Sequence, residues 1–578
     1  MASPNRDGAA LVTIAEPRAT MQPASIRPAL LALAALFAFI ILAQGISAPF
    51  QKDAEPQSAE WIQSIVRDGH WLIPQDAYGF IDRKPPLFYW LSATAAKLSG
   101  GTVDEIRTRV VSLAAGTALA VCVLAWTAAN VGALEGWLAF LFLLGTYGFA
   151  SRATEALTDM LLTLLLFAAY CAIHPLLESP ESRSWRRTIL VGVLLGLGVL
   201  TKGPVALVLC ALSALIYLIL TRRNPLPLTR ESWPWQVLAM AIACGAIWYV
   251  PAALTGGQKI LRIIFAENFG HFMPTKLGGT GESYRPFYFI AARLLGGAFP
   301  MTLLIAPAAL AFYTGEIPTA KRRAIIYQTS MPLAVLLFFS IASVKRDDYI
   351  LPALPGIAIL CASAFTLEGV RDSATKFRDA IAVSFTVGCA LAFFAASMVA
   401  LIDLPAAPQV QLQSSDAAFF TIFIRGLALL RTPYVLCCVA LAIAAALAIR
   451  SLKRGDVFAI GLAFGLAGLS ASLLWTTTLR PDLATMRSVK SFVPIIADQV
   501  KDSQLCIPSD INYELSYYYG AAVPDLKNLR CAYLLATPRE LNAMTPEYRA
   551  RLKRVAQSNL IGGGGPPALY EISPEAAK

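Results

Sequence analysis

The stretch ALLALAALFAFIILAQGIS, Ala29 to Ser47, contains no charged residue. About 20 helical residues cross a hydrocarbon core of roughly 30 Å, so a run of this length and composition reads as a membrane span. Runs of the same kind recur to about Trp475 in a chain of 578 residues that is 56% hydrophobic and only 15% charged. A water-soluble enzyme is excluded, and the fold class is a mainly α polytopic membrane protein. The first run is expected to be retained as a helix, because residues 1–27 precede it, its apolar stretch is long and no small-residue cleavage site closes it.

Apolar runs set against polar breaks give about thirteen spans, near 28–47, 108–129, 132–150, 155–175, 188–201, 204–221, 234–254, 287–313, 324–343, 349–367, 379–402, 431–449 and 456–476. Basic clusters fix their orientation. Arg183, Arg186 and Arg187; Arg222, Arg223 and Arg230; Lys321, Arg322 and Arg323; Arg371, Lys376 and Arg378; and Arg450, Lys453 and Arg454 all fall in loops that are cytoplasmic if the N-terminus is inside. Residues 1–27 are then a cytoplasmic tail and 28–477 a transmembrane domain with an outer loop at 48–107. Residues 478–578 are expected to form a small outer α/β domain, with SFVPIIADQV as a helix and SQLCIP and CAYLLA as strands. The short run Pro85 to Leu98 is expected to lie in the interface, anchored by Phe88, Tyr89 and Trp90.

The net charge of +11 does not indicate nucleic acid, since the cations are scattered through short loops as topology signals. No CxxC or HExxH occurs, and three histidines make a dedicated multi-ligand metal centre improbable. His271 and Glu267, spaced i and i+4, are the one pair suited to a divalent ion. No cofactor is required, and a metal ion is an open alternative. Eight of the ten cysteines fall in apolar spans; Cys506 and Cys531 lie in the outer domain, where either a disulfide or two buried thiols would fit.

Ionisable residues gather at the outer ends of the spans. They are Asp53 and Glu55; Asp82, Arg83 and Lys84 in IDRKPPLFYW; Asp159, a turn or two inside its span; and Lys202 in TKGP. Glu267 and His271, Arg285, and Lys345 to Asp348 in KRDDY complete the set. Charges at membrane depth are costly, so such a set on one face points to a site. Any single one of them also reads as an ordinary loop charge in the headgroup zone. Lys84, Lys202 and Lys345, each beside a proline or tight turn, suit convergence on an anion.

In order along the chain, the first-loop carboxylates followed by Ala59-Glu60, GHWLIP, KPPLFYW, LTDM, TKGP and KRDDYILPALP resemble the membrane glycosyltransferases of the GT-C fold. Within them the chain looks most like the lipid A aminoarabinose transferases, relatives of the protein O-mannosyltransferases. The resemblance spans roughly residues 28–360. It implies a sugar donor on undecaprenyl phosphate, used at the periplasmic side of a bacterial inner membrane by a monomer, with a lipid A phosphate as acceptor and membrane lipid around it. Lys84, Lys202 and Lys345, with Arg83 and Arg346, would hold the donor phosphate, and Tyr349 and Arg285 would line the substrate cavity.

Glycosyl transfer passes through an oxocarbenium-like sugar, which a carboxylate stabilises. Counting back from Ala59-Glu60 puts Glu55 at the family's acidic position, nearness to the first span favours Asp53, and Asp159 is a supporting residue. The sequence departs from the family where DAEPQSAE lacks the usual arginine and tyrosine, where Arg83 replaces an acid, and where KRDDY replaces a more apolar KLPTY. Two competing readings are a protein O-glycosyltransferase using the same donor class, and a lipid or polysaccharide transporter. The transporter reading is disfavoured by the absence of an internal repeat and by the clustering of charge at one interface.

Overall fold

The structure is a computed structural model that describes residues 26–50, 54–270, 285–342, 344–367, 369–370, 372–402, 432–501, 503–508, 511–526, 531–560 and 564–573. Asp53 and His271 lie outside the described residues. In chain order the helices are α1 (Pro28–Leu42), α2 (Ala54–Asp68), α3 (Leu87–Leu98), α4 (Glu105–Asn130), α5 (Ala133–Leu144), α6 (Tyr147–Arg152), α7 (Asp159–Glu178), α8 (Trp185–Lys202), α9 (Val205–Leu220), α10 (Ser232–Phe269), α11 (Phe289–Gly297), α12 (Thr302–Thr314), α13 (Thr319–Ile341), α14 (Leu354–Ser363) and α15 (Asp372–Ile402). They are followed by Thr432–Arg454 and Val457–Leu474.

Among the described residues, seven helices are long and apolar enough to cross a membrane, and a bent pair adds an eighth. The chain is a multi-pass, mainly helical membrane protein. Six expected spans take other forms: 28–47, 132–150 and 204–221 hold the shorter apolar helices α1, α5 and α9, 188–201 falls in α8, which is not among the seven, and the last two are 287–313 and 349–367. The run 287–313 is the pair α11 and α12, which meet at 97°; Phe299-Pro300 lies at the break, where proline cannot donate a helical hydrogen bond. The run 349–367 opens as a tight 3-10 segment, Asp347–Ala353, before α14 begins.

The first loop answers why Asp82, Arg83 and Lys84 precede two prolines. The Lys84 N–H donates to Asp82 Oδ1 at 3.1 Å, closing a local turn. Pro86 then sits at the N-cap of α3, which suits a residue without an N–H. TKGP works in a similar way: Lys202 ends α8, Gly203 takes φ +79°, and Pro204 caps α9. The φ of +79° favours glycine at 203, and a Cβ there would meet the tip of the Asn268 side chain, Oδ1, at 2.2 Å.

After residue 474 the helical path continues through Trp475–Leu479 into Arg480–Arg487, so the expected boundary at 478 falls within continuous helix. The sheet comes later, with β1 (Leu505–Cys506), β2 (Tyr533–Ala536), β3 (Leu552–Gln557) and β4 (Ala568–Ile572) in the order β1-β2-β4-β3. Only the β1–β2 pair is parallel. A Cys506–Cys531 disulfide ties β1 to the start of the β2 segment.

This domain packs on the loop after α1. The Tyr517 hydroxyl donates to the Val103 carbonyl at 2.7 Å, the Tyr518 hydroxyl to Glu105 at 2.7 Å, and the Tyr78 hydroxyl to the Val523 carbonyl at 3.2 Å. At the centre, the Ser516 hydroxyl donates to Glu60, which also accepts from the Ala77 N–H at 3.0 Å. Burial lifts the Glu60 carboxyl from 4.5 to about 7 against these hydrogen bonds. Its protonated form is therefore favoured in the docked state, and docking is expected to weaken as pH rises from about 4.5, levelling above about 7. Hydrogen exchange in residues 513–519 measures this: protection should fall across that window, and Glu60→Gln should flatten the profile.

Candidate functional site

Two cavities meet at the end of the bundle where α7 begins and α8 ends. One, of about 380 Å³, is walled by apolar side chains from α7, α9 and α13, among them Leu162, Val205, Leu209 and Phe338. The other, of about 440 Å³, is lined by Gln57, Asp82, Arg83, Lys84, Lys259 and Arg346, with Ile511 and Tyr513 contributed by the C-terminal part of the chain. Lys202, Glu267 and Tyr349 line both. An apolar chamber therefore adjoins a predominantly cationic one, and Lys202 stands in the wall they share.

Lys202 is held from three sides. It donates to Asp159, lies 3.5 Å from Asp348 Oδ2, and sits 4.9 Å above the Tyr349 ring. Tyr349 in turn stacks on Phe339 at 4.3 Å. Asp348 also pairs with Arg346 Nε at 3.4 Å. Asp159 is the first residue of α7 and not a turn or two inside it, since the preceding residues are held in a loop. The exposed N–H groups and positive dipole end of a helix favour a carboxylate at that position.

Lys84 is half-buried in the polar cavity. Burial, together with Arg346 and Lys202, pushes its ammonium below the ordinary lysine range. Burial pushes its neighbour Asp82 up to about 7 in spite of Lys84. Cations that repel one another across a cavity are relieved when an anion enters, so the arrangement suits an anionic group.

Several expected residues take other roles. Lys345 lines neither cavity; its ammonium donates to the carbonyls of Arg285, at 3.0 Å, and Ala342, and so clasps two loops together. Arg285 also lines neither cavity, and its exposed guanidinium packs 5.3 Å over the Phe289 ring. Glu55 is 1% exposed and forms a two-pronged pair with the equally buried Arg109, Nε to Oε1 at 2.9 Å and Nη2 to Oε2 at 3.1 Å. It accepts a further bond from the Ala156 N–H at 2.9 Å, while Arg109 also donates to the carbonyls of Ile46 and Ala48. Glu55 thus locks the first loop to α4 and to the loop before Asp159, and has no open face for a sugar. Arg109 itself was legible as an ionisable residue one turn into an apolar helix, a position that calls for a partner.

Arg83, Lys84, Lys202, Arg346 and Tyr349 do converge on the cavities. Lys259 and Tyr513 join them without any local sequence signal. Glu267 faces both cavities. Among the described residues, no group of three or more His, Cys, Asp or Glu side chains is placed to hold a metal ion.

Residues 83–249 match the family model for dolichyl-phosphate-mannose-protein mannosyltransferases. The chain is 29% identical over 356 residues to the undecaprenyl phosphate-alpha-4-amino-4-deoxy-L-arabinose arabinosyl transferase of Enterobacter sp. (strain 638), covering 58% of this chain and 59% of that protein. It is 25% identical to the protein of the same name from Shewanella sediminis (strain HAW-EB3), covering 61% of each. The match thus spans about six tenths of the length of these relatives. The fold is similar to that of ArnT from Cupriavidus metallidurans bound to undecaprenyl phosphate, with a TM-score of 0.67 and 17% identity over 95% of this chain and 98% of that one. The apo structure of the same protein gives 0.66. The resemblance read from the ordered motifs is borne out, and the fold is the one that ArnT has.

Proposed function

We propose that the chain is an inner-membrane glycosyltransferase that moves 4-amino-4-deoxy-L-arabinose, or a similar sugar, from undecaprenyl phosphate to a phosphate of lipid A. The observation that carries this reading is the junction of the two cavities, which suits a ligand with an isoprenoid tail and an anionic head. The tail would lie in the apolar chamber against Val205, Leu209 and Phe338. The phosphate would be bound by Lys84 and Lys202, with Arg83 and Arg346 at its outer side. Names of the similar transferases supply the sugar and the carrier.

Transfer breaks the bond from the anomeric carbon to the donor phosphate oxygen and forms one to an acceptor phosphate oxygen. The cations stabilise the leaving undecaprenyl phosphate, whose negative charge grows as the bond breaks. Asp159, beside Lys202, places negative charge near the developing oxocarbenium ion. An acceptor phosphate is already ionised near neutral pH and needs no strong base, since its second pKa is near 6, a value on the order expected for a phosphate monoester.

The site would face the periplasm, with thirteen spans and the outer domain on that side. Two features support this orientation. Asp159 and Glu178 occupy opposite ends of α7, roughly 30 Å apart at 1.5 Å per residue, and Glu178 is surrounded by Arg223 and Arg323 from expected cytoplasmic loops. The Cys506–Cys531 disulfide suits an oxidising compartment.

In this reading a monomer works without a resident metal, because lysine and arginine do the work of neutralising phosphate. Transfer in vesicles is expected to survive thorough chelation; loss restored by a divalent ion would assign Glu267 and His271 to a metal. Mass spectrometry of lipid A from cells with and without the chain tests the reaction. A missing aminoarabinose adduct supports it, and label appearing in protein instead would favour protein O-glycosylation, the activity named by the matched family model.

A further inference from the structure

The loop 153–158, between α6 and α7, presents Asp159, and every one of its residues is buried. Buried backbone needs partners within the protein, because water cannot reach it. Part of that need is met from 329 residues further along the chain. Arg480 Nη1 donates to the Ser151 carbonyl at 3.0 Å and to the Thr154 hydroxyl, while Nη2 donates to the Thr154 carbonyl at 3.3 Å and lies 3.7 Å from Glu155 Oε1. Trp475 Nε1 adds a bond to the Ser151 hydroxyl at 3.0 Å.

Local helix geometry brings these two side chains to one place. Trp475–Leu479 is a π turn, closed by the Arg480 N–H on the Trp475 carbonyl, and its i→i+5 bonding stacks residues that an α-helix would set on different faces. The sequence TTTLRP accounts for the turn. Thr476, Thr477 and Thr478 each donate to the carbonyl four residues back, which distorts a helix, and Pro481 cannot donate to the Thr477 carbonyl and would crowd it in an α-helix. The loop is tied at three further points: Arg152 pairs with Glu155, the Ala156 N–H donates to Glu55, and the Ser112 hydroxyl donates to the Leu157 carbonyl at 3.2 Å.

We propose that Arg480 is a positioning residue for sugar transfer, setting through Ser151 and Thr154 the loop that places Asp159 against Lys202. This rests on the donor reading given above and adds a residue that acts through Asp159. A planar guanidinium serves two carbonyls and a carboxylate at once, and a compact ammonium does not reproduce that fork. Asp159 follows Thr154 by five residues, with no exposed segment between them to absorb a shift.

The test is a double-substitution cycle on the full chain in lipid nanodiscs, comparing wild type, R480K, D159N and R480K with D159N. The readout is undecaprenyl phosphate released from the 4-amino-4-deoxy-L-arabinose donor in the presence of lipid A, which registers donor cleavage whatever the acceptor. Single turnovers with the protein in excess give a saturating rate and a donor affinity, and keep slow variants measurable. R480K is expected to lower the rate by roughly tenfold, as a small misplacement of a reacting group allows, with donor affinity changed less than about threefold because Asp348 and the Tyr349 ring still hold Lys202. In the D159N background the same substitution should cost less than about threefold, since the carboxylate it places is gone. W475F, which removes one donor to Ser151 and keeps the arginine, should give a smaller fall with the same dependence on Asp159, and it decides by the same criteria if R480K does not accumulate. An unchanged rate in R480K, a loss that multiplies through in D159N, or a loss carried by donor affinity would overturn the proposal, the last two leaving Arg480 a structural residue. Mass spectrometry of lipid A from the same samples tests the reading beneath. Release without a lipid A adduct rejects the lipid A reaction and leaves the cycle readable, whereas a wild type that releases nothing rejects the donor reading and the proposal with it.

Discussion

Glu55→Gln is expected to lower the stability of the folded chain by about 3–5 kcal/mol, the range for breaking a buried ion pair at one partner. Both side chains are 1% exposed. The substitution keeps the shape of Glu55 but strips Arg109 of its paired counter-charge, leaving a buried guanidinium among the carbonyls of Ile46 and Ala48 and the Phe50 ring. Loss should appear as a lower midpoint for thermal unfolding in detergent and as reduced accumulation in the membrane. Replacing both residues together with apolar ones of similar size should recover much of it, because the desolvation cost then falls on neither. A chain with an unshifted midpoint but no transfer would restore Glu55 to the catalytic role that its alignment with the family suggested.

Lys84→Ala is expected to reduce transfer by tenfold to more than a hundredfold while leaving unfolding almost unmoved. The lost contact is a charge-assisted one to phosphate, worth about 1.5–3 kcal/mol. Lys84 itself contributes little stability, since burial and the cations around it work against its charge. The turn that presents it depends on Asp82 and the backbone N–H, which alanine retains. Lys84→Arg should recover activity in part, as a planar guanidinium cannot occupy the volume of a compact ammonium. Donor turnover and the unfolding midpoint, measured on one preparation, separate the two effects. Full transfer by the alanine variant would remove Lys84 from the phosphate site.

Lys202 shows how far local sequence reaches. Its place at the end of an apolar helix, before Gly203-Pro204, was enough to predict an ammonium presented at one face of the bundle. Lys345 has a similar local setting and was given the same role. The difference lies in what each ammonium meets: Asp159, Asp348 and the Tyr349 ring for Lys202, and two backbone carbonyls for Lys345. Nothing within a few residues of either lysine encodes that distinction.

What the sequence determined by itself rests on local, additive physics. The transfer of apolar side chains into lipid marks the spans, and glycine and proline fix the turns at TKGP and KPP. These terms act over a few residues and survive summation along the chain, so the mainly helical membrane fold and the turns that carry Lys84 and Lys202 were legible. Tertiary structure alone decided the pairing of charges. Whether Glu55 is a catalyst or a buried counter-ion depends on Arg109, 54 residues away. The Tyr513 wall of the polar cavity comes from a domain hundreds of residues after the first loop. Inside a low-dielectric bundle a charge is governed by its nearest partner in space, and sequence distance carries almost no information about which partner that is.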